Sequence, residues 1–274
     1  MIWTEKHLPK EYREHIIFKN LDLIDEFYDF LSYNSLSFLP NGLPGKFPNT
    51  DTYIFSSIKG TIDSIRLLLK NAHINDAYAI ARKYFDEIMI DVYMTVYKQE
   101  QIRKNPNDLM FTVERVKKWI DESFKMPKHD DIIKYFSRSE SYHILFAYFD
   151  FDKRFRKIRE LLDDNMHMNS YQLMLTNDNE ISNQYRTRYL ELLNTCICDL
   201  FRYHYASCIY LNPQYFMASD YIDYMDLGLT PPEGSENWIA SIAQDMFDRV
   251  IKPHKELALF LKENVDLNIK CDYD

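Results

Sequence analysis

Glycine is scarce in this chain, with 5 in 274 residues. That removes the usual supply of positive-φ positions for hairpin turns and for loops that wrap phosphates. Neither GxGxxG nor GxxxxGK followed by Ser or Thr occurs, which excludes the dinucleotide and P-loop fingerprints, and no cofactor is expected. No apolar run reaches about 18 residues, the length from which a membrane-spanning helix is read, so no membrane partner is expected. The opening Met1-Ile-Trp-Thr-Glu-Lys-His7 lacks the basic-then-apolar layout of a signal peptide, and a cytoplasmic protein is expected. The cysteines number four, Cys196, Cys198, Cys208 and Cys271. Their spacing fits no zinc site, and Cys196 and Cys198 fall on different sides of a helix, so reduced packing residues are expected. Positive charge is also short, 33 Lys and Arg against 42 Asp and Glu for a net charge of −9. A surface of that sign repels nucleic acid, so any such contact must be local.

Apolar material is abundant, with 46% hydrophobic residues and 15% aromatics, among them 21 Tyr and 18 Phe. The length suits one large core, since single cores stop growing near roughly 250 to 300 residues. Helical periodicity dominates. Ile16, Ile17, Leu21, Ile24, Phe27 and Leu31 predict a first helix over 11–32, followed by a loop containing Pro40, Gly42, Pro44, Gly45 and Pro48. Thr50 or Asp51 is placed to cap a helix with the stripe Phe55, Ile58, Ile62, Ile65, Leu69, and Ile74, Ala77, Ala81, Phe85, Ile88, Val92 and Val96 form the next. These two helices predict an αα-hairpin. Shorter helices are expected over 111–124 and 130–136, one helix over 147–164 ending near His167, and the longest over 181–210. Ser235 is the expected N-cap of a helix carrying Trp238, Ile239, Ile242, Met246 and Val250, with Pro253 stopping it and a last helix through Leu261. The expected fold is an all-α multi-helix bundle over 1–212 with a helical extension, 213–274, packed on it.

The strongest charge feature is Lys153-Arg-Phe-Arg-Lys-Ile-Arg159, five cations in seven residues of an acidic protein. With Phe155 and Ile158 buried, Lys153, Arg154, Arg156 and Lys157 can form a ridge suited to a phosphate backbone. The other reading is a solvated face paired with acidic neighbours. Downstream, Asp163 and His167 stand at i and i+4, which lets a carboxylate orient an imidazole, with Asn165 and Asn169 as polar neighbours. That pairing suits acid/base work on a phosphodiester with Arg159 stabilising charge; alternatively His167 caps its own helix. Arg138 and His143, four residues between them, form a second pair. Arg82 and Asp86, at i and i+4 beside Tyr78, Met89 and Tyr93, are an ion pair of structural or site character. Glu140-x-x-His143 fits a di-metal helical motif once and Asp164-x-x-His167 only loosely, and no further inward Glu pair is identifiable, so no metal is expected.

The runs Ser57-Ile-Lys-Gly-Thr-Ile-Asp-Ser-Ile-Arg-Leu-Leu68 and Asn75-Asp-Ala-Tyr-Ala-Ile-Ala-Arg-Lys-Tyr-Phe-Asp86, with Leu162-Asp-Asp-Asn-Met-His-Met-Asn169, resemble uncharacterised bacterial helical proteins of the HEPN superfamily, many of which accompany phage-defence or toxin systems. The resemblance covers residues 50–210. It implies a bundle of four or more helices, homodimerisation and, in active members, metal-independent RNA cleavage by an Arg and a His four to six residues apart. Arg138 and His143 have that spacing, whereas seven residues separate Arg159 from His167. RNA and a second copy are therefore the expected partners. A non-catalytic helical module for dimerisation or protein interaction is the alternative, to which the excess of Tyr is suited.

Overall fold

The computed structural model describes residues 8–37, 50–104, 118–119, 121–167, 169, 171–177 and 186–273. Among them the protein is an all-α, multi-helix bundle. In chain order the helices are α1 (Lys10–Arg13), α2 (Ile16–Ser37), α3 (Thr50–Lys70), α4 (Ile74–Lys104), α5 (His129–Arg138), α6 (His143–Ala147), a π-helical turn (Phe151–Phe155), α7 (Arg156–Met166), α8 (Tyr171–Leu175), α9 (Arg186–Leu211), α10 (Asp220–Asp226), α11 (Ser241–Val250) and α12 (Lys255–Asn264). Short 3-10 turns at Pro213–Phe216 and Ser235–Asn237 complete the order. Two compact units are formed, one from residues 1–21 and 60–200 and the other from 22–59 and 201–274.

In the first unit the turn after α3 is closed by a Schellman pattern, His73 N–H to Leu68 C=O and Ala72 N–H to Leu69 C=O, both 2.9 Å. It places Ala72 in the left-handed region at φ 58°, where glycine is the usual occupant. The start of α4 is capped from far away in sequence: the Asn177 side-chain oxygen accepts from the Asn75 and Asp76 N–H groups at 2.7 and 3.3 Å. Helix α4 packs along α7 in antiparallel register, as Asn75 meets Asn165, Arg82 meets Asp163, and Phe85 meets Phe155. The apolar stripe Ile74, Ala77, Ala81, Phe85 and Ile88 is fully buried there, which is the reason this segment holds its helical pitch.

The second unit is organised around Phe27, whose ring lies 5.1 Å from Phe201, 5.2 Å from Tyr205 and 6.1 Å from Phe216. Two buried hydroxyls nearby are satisfied: Tyr205 donates to Ala243 C=O at 2.7 Å, and Tyr28 is 2.7 Å from His204 Nδ1. Buried polar groups keep such partners because an unmet one costs about 1–3 kcal/mol.

Several expectations change in detail. The first helix is broken at Glu14–His15, where the His15 ring accepts from the Ile17 N–H at 3.2 Å, and α2 runs on to Ser37. Of the helix expected over 111–124, residues 111–117 and 120 lie outside the described residues, 118–119 are helical, and 121–124 form a turn and bend. The helix expected over 147–164 is interrupted: Asp150 turns the chain, its carboxylate accepting from Lys153 N–H at 3.0 Å, and the π-helical turn follows. Trp238 is not helical. Ser235 bonds Pro232 C=O at 2.6 Å instead of capping a helix, Trp238–Ala240 is extended, and α11 starts only at Ser241.

Candidate functional site

The segment that carries the basic run opens on a π-helical turn, in which Phe155 N–H reaches Asp150 C=O at 3.0 Å, five residues back. Such turns re-aim side chains inside a helix. Phe151, Phe155, Ile158 and Leu162 are buried, so the cations are forced outward, but they do not share one fate. Lys153, Arg156 and Lys157 are exposed, and none of them has an ion-pair partner among the described residues. Arg156 and Lys157 open α7, and Lys153 belongs to the π-helical turn just before it.

Arg154 is drawn away from them. Its Nε and Nη2 donate to the two oxygens of Asp199 at 2.5 and 2.6 Å, a two-pronged pairing with a carboxylate only 4% exposed. The neighbouring Cys196 thiol is pushed up to about 12 by burial and by Asp199, against an opposing pull from Arg154. That keeps it a packing thiol.

Arg159 lies 3.6 Å from Asp130 and 3.8 Å from Asp163. The Asp163 carboxylate belongs mainly to Arg82, whose Nε donates to it at 2.5 Å while Nη1 pairs with Asp86. Burial alone would lower the Arg82 pKa, but the Asp86 and Asp163 carboxylates outweigh it and the net shift is upward. The expected pair Arg82–Asp86 is thus present and is joined by Asp163. In consequence Asp163 reaches His167 only through its backbone carbonyl, which accepts the His167 N–H at 3.0 Å. His167 is the exposed C-cap residue of α7. Asn165 points inward, accepting from Asn75 at 3.0 Å and donating to Leu161 C=O at 2.8 Å. Asn169 is exposed and bonds Asp164 at 2.8 Å. The residues expected to surround His167 are therefore spread over an interface, a helix end and an ion-pair network.

The second expected pair flanks a single short turn. Arg138 closes α5 and His143 opens α6, both exposed, across the turn 139–142. His143 Nδ1 lies 2.7 Å from Ser139 C=O. A carbonyl only accepts, so Nδ1 carries the proton and the neutral ring keeps Nε2 free to take one. The turn is pinned from below by Glu100 of α4, buried, which accepts from Ser139 Oγ and from Tyr135 at 2.6 Å. Burial and then Glu100 push the Tyr135 pKa up, so the hydroxyl stays protonated. An aromatic ladder ties this turn to the basic run: Phe136 to Phe146 at 5.5 Å, Phe146 to Phe151 at 4.6 Å and Phe151 to Phe155 at 4.3 Å.

His129 gave no signal in the sequence. Its ring stacks on Phe85 at 5.3 Å, with Nδ1 3.5 Å from Asp130, and Nε2 has no hydrogen-bond partner among the described residues. Its pKa is lowered by burial first, then by Arg159 and Arg82, with Asp130 opposing. Only the convergence of α4, α5 and α7 puts a neutral imidazole beside two guanidinium groups, and no local spacing encodes that.

Among the described residues no helix is long and apolar enough to cross a membrane. Compared with known proteins, the chain matches no family model, no curated protein and no solved structure.

Proposed function

We propose that this is a HEPN-like RNA-binding protein that grips the phosphate backbone through Lys153, Arg156 and Lys157, with Arg138 and His143 as the pair that cleaves without a metal. The observation that carries the reading is the three exposed cations with no ion-pair partner among the described residues, gathered within residues 153–157 of a protein of net charge −9. Local positive potential on an acidic protein has no role in packing, and phosphate oxygens are its natural complement. Support for cleavage is the fixed tautomer of His143, which leaves one ring nitrogen as a base in the neutral ring, with a guanidinium five residues away available to a phosphate. A place in bacterial defence or toxin systems, and action as a homodimer, follow from the family resemblance and belong to the same proposal.

The test is titration of a labelled single-stranded RNA in EDTA across a range of salt, with cleavage followed on the same samples. Three phosphate contacts give a slope of about −2 in log affinity against log salt, and replacing Lys153, Arg156 and Lys157 together by Gln removes most of it. His143→Ala abolishes cleavage while His167→Ala leaves it. Absence of RNA binding at low salt overturns the proposal. Cleavage that survives His143→Ala and Arg138→Ala overturns its catalytic half.

A further inference from the structure

We propose that the second unit takes an extended peptide segment of alternating basic and apolar residues, added as a strand along Ile239. The inference stands apart from the RNA reading and rests on a groove of about 840 Å³ whose lining includes Ala218, Asp220, Trp238, Ile239, Asp245 and Lys270.

The backbone supplies the first argument. Met217 and Ile239 form an isolated antiparallel bridge, with Ala218 N–H to Trp238 C=O and Ala240 N–H to Phe216 C=O, both 2.8 Å. In an antiparallel pair alternate residues turn their N–H and C=O to opposite edges. Trp238 and Ala240 thus serve the 216–218 side, and Ile239 faces the other way. Asn237 C=O is taken by Asn268 N–H at 2.7 Å. The N–H and C=O of Ile239 have no partner among the described residues. The chain at 268–270 does not continue the pairing, because the Gln244 side-chain amide binds both polar groups of the Lys270 backbone, each at 2.9 Å. One backbone edge in the groove is therefore closed, and the one at Ile239 is open. An open edge of this kind binds extended peptides, with hydrogen bonds giving affinity and alternate side chains giving selectivity.

Charge and exposure define the side chains. Residues 220–238 contain Asp220, Asp223, Asp226, Glu233 and Glu236 and no Lys or Arg. The same stretch leaves Met225, Leu227, Leu229 and Trp238 exposed, Leu227 at 74%. Backbone bonds from Leu229 to Tyr224 and from Gly228 to Met225 hold this turn together. The groove itself is lined by the carboxylates Asp220 and Asp245 against one cation, Lys270, with Trp238 and Ile239 as apolar walls, and with the acidic stretch next to it this rim complements a strand that alternates cations with branched aliphatics. An acidic segment would meet repulsion along the same rim.

The test uses fluorescence anisotropy of a labelled, end-capped nonapeptide of alternating Val and Lys, with the full-length protein. Saturable binding is expected, with Val/Glu and alternately N-methylated Val/Lys peptides failing to bind. Asp220→Lys with Asp245→Lys, both at exposed positions, weakens binding about tenfold or more, as replacing attraction by repulsion requires. The Gln triple variant at Lys153, Arg156 and Lys157 binds the peptide as wild type does, which separates this site from the RNA face. Equal binding of the N-methylated peptide overturns strand addition, and equal binding of Val/Glu overturns the charge assignment. No binding of the Val/Lys peptide at millimolar concentration overturns the whole proposal.

Discussion

Arginine appears in the first unit in two settings, an enclosed network around Arg82 and an open face around Arg156. In the network, Arg82 is 10% exposed and holds Asp86 and Asp163, while Arg159 bridges Asp163 and Asp130. On the open face, Arg156 and the two lysines beside it have water as their main neighbour. Arg154 shows how little separates the two: it is two residues from Arg156, yet a carboxylate on α9 takes it out of the ridge. The difference teaches that a run of like charges is not one surface. Each cation is assigned by what the next helix brings within reach.

The largest effect is expected where a network loses its centre. Arg82→Ala strips Asp163 and Asp86 of their main cation, and a loss of about 3 kcal/mol is expected in urea unfolding, near the low end for broken buried pairs because both carboxylates are partly exposed. A loss no larger than that of a surface substitution would show that the network is electrostatically idle.

Next comes the contrast inside the basic run. Arg154→Ala uncovers the buried Asp199 and costs about 2 kcal/mol, whereas Arg156→Gln stays within about 0.5 kcal/mol. Thermal melts of the two variants side by side read the contrast, and equal melting temperatures would erase it.

The smallest effect belongs to His129 and appears only with pH. Its folded pKa lies below the ordinary 6.5, so the unfolded chain takes the proton more readily. Its contribution to stability is full above pH 6.5 and is lost as pH falls toward the folded value. His129→Phe keeps the stack on Phe85 and removes the titration. The variant should lose less stability than wild type between about pH 7.5 and pH 5.5, measured by urea unfolding at both. An unchanged pH dependence would mean that His129 is not the group protonated.

Much of the helical architecture was legible in the sequence. The stripes of α3 and α4 are buried as their spacing implies, because a helix of 3.6 residues per turn brings i, i+3 and i+4 to one side whatever it packs against. The helix end at His167 is likewise read correctly. The interruption at Tyr148–Asp150 was not legible, since Phe151 and Phe155 keep helical spacing through the π-helical turn and the decisive contact is one Asp150 cap. Nor was the extended stretch at Trp238, whose backbone is held by residues 216 and 218, some twenty residues earlier, as well as by the local bond to Ser235.

The candidate sites divide in the same way. The surroundings of His143 are local, since a short turn joins it to Arg138 and the contact that orients its ring comes from Ser139, four residues away. Asp163 and His167 had equally good helical spacing, but Arg82, eighty-one residues from Asp163, competes for the carboxylate. A guanidinium offers stronger and better directed hydrogen bonds to a carboxylate than a neutral imidazole does.

By itself, then, the sequence determined that this chain folds as helices, which faces of α3, α4 and α7 are apolar, and that cations gather in one segment. Those properties follow from periodicity and composition, which act over a few residues. Only the tertiary fold set which cations lack an ion-pair partner among the described residues, where Asp163 is spent, that His129 lies beside two arginines, and that the backbone groups of Ile239 have no partner among those residues. Each of these depends on a partner brought from tens of residues away, and short-range patterns carry no record of such partners.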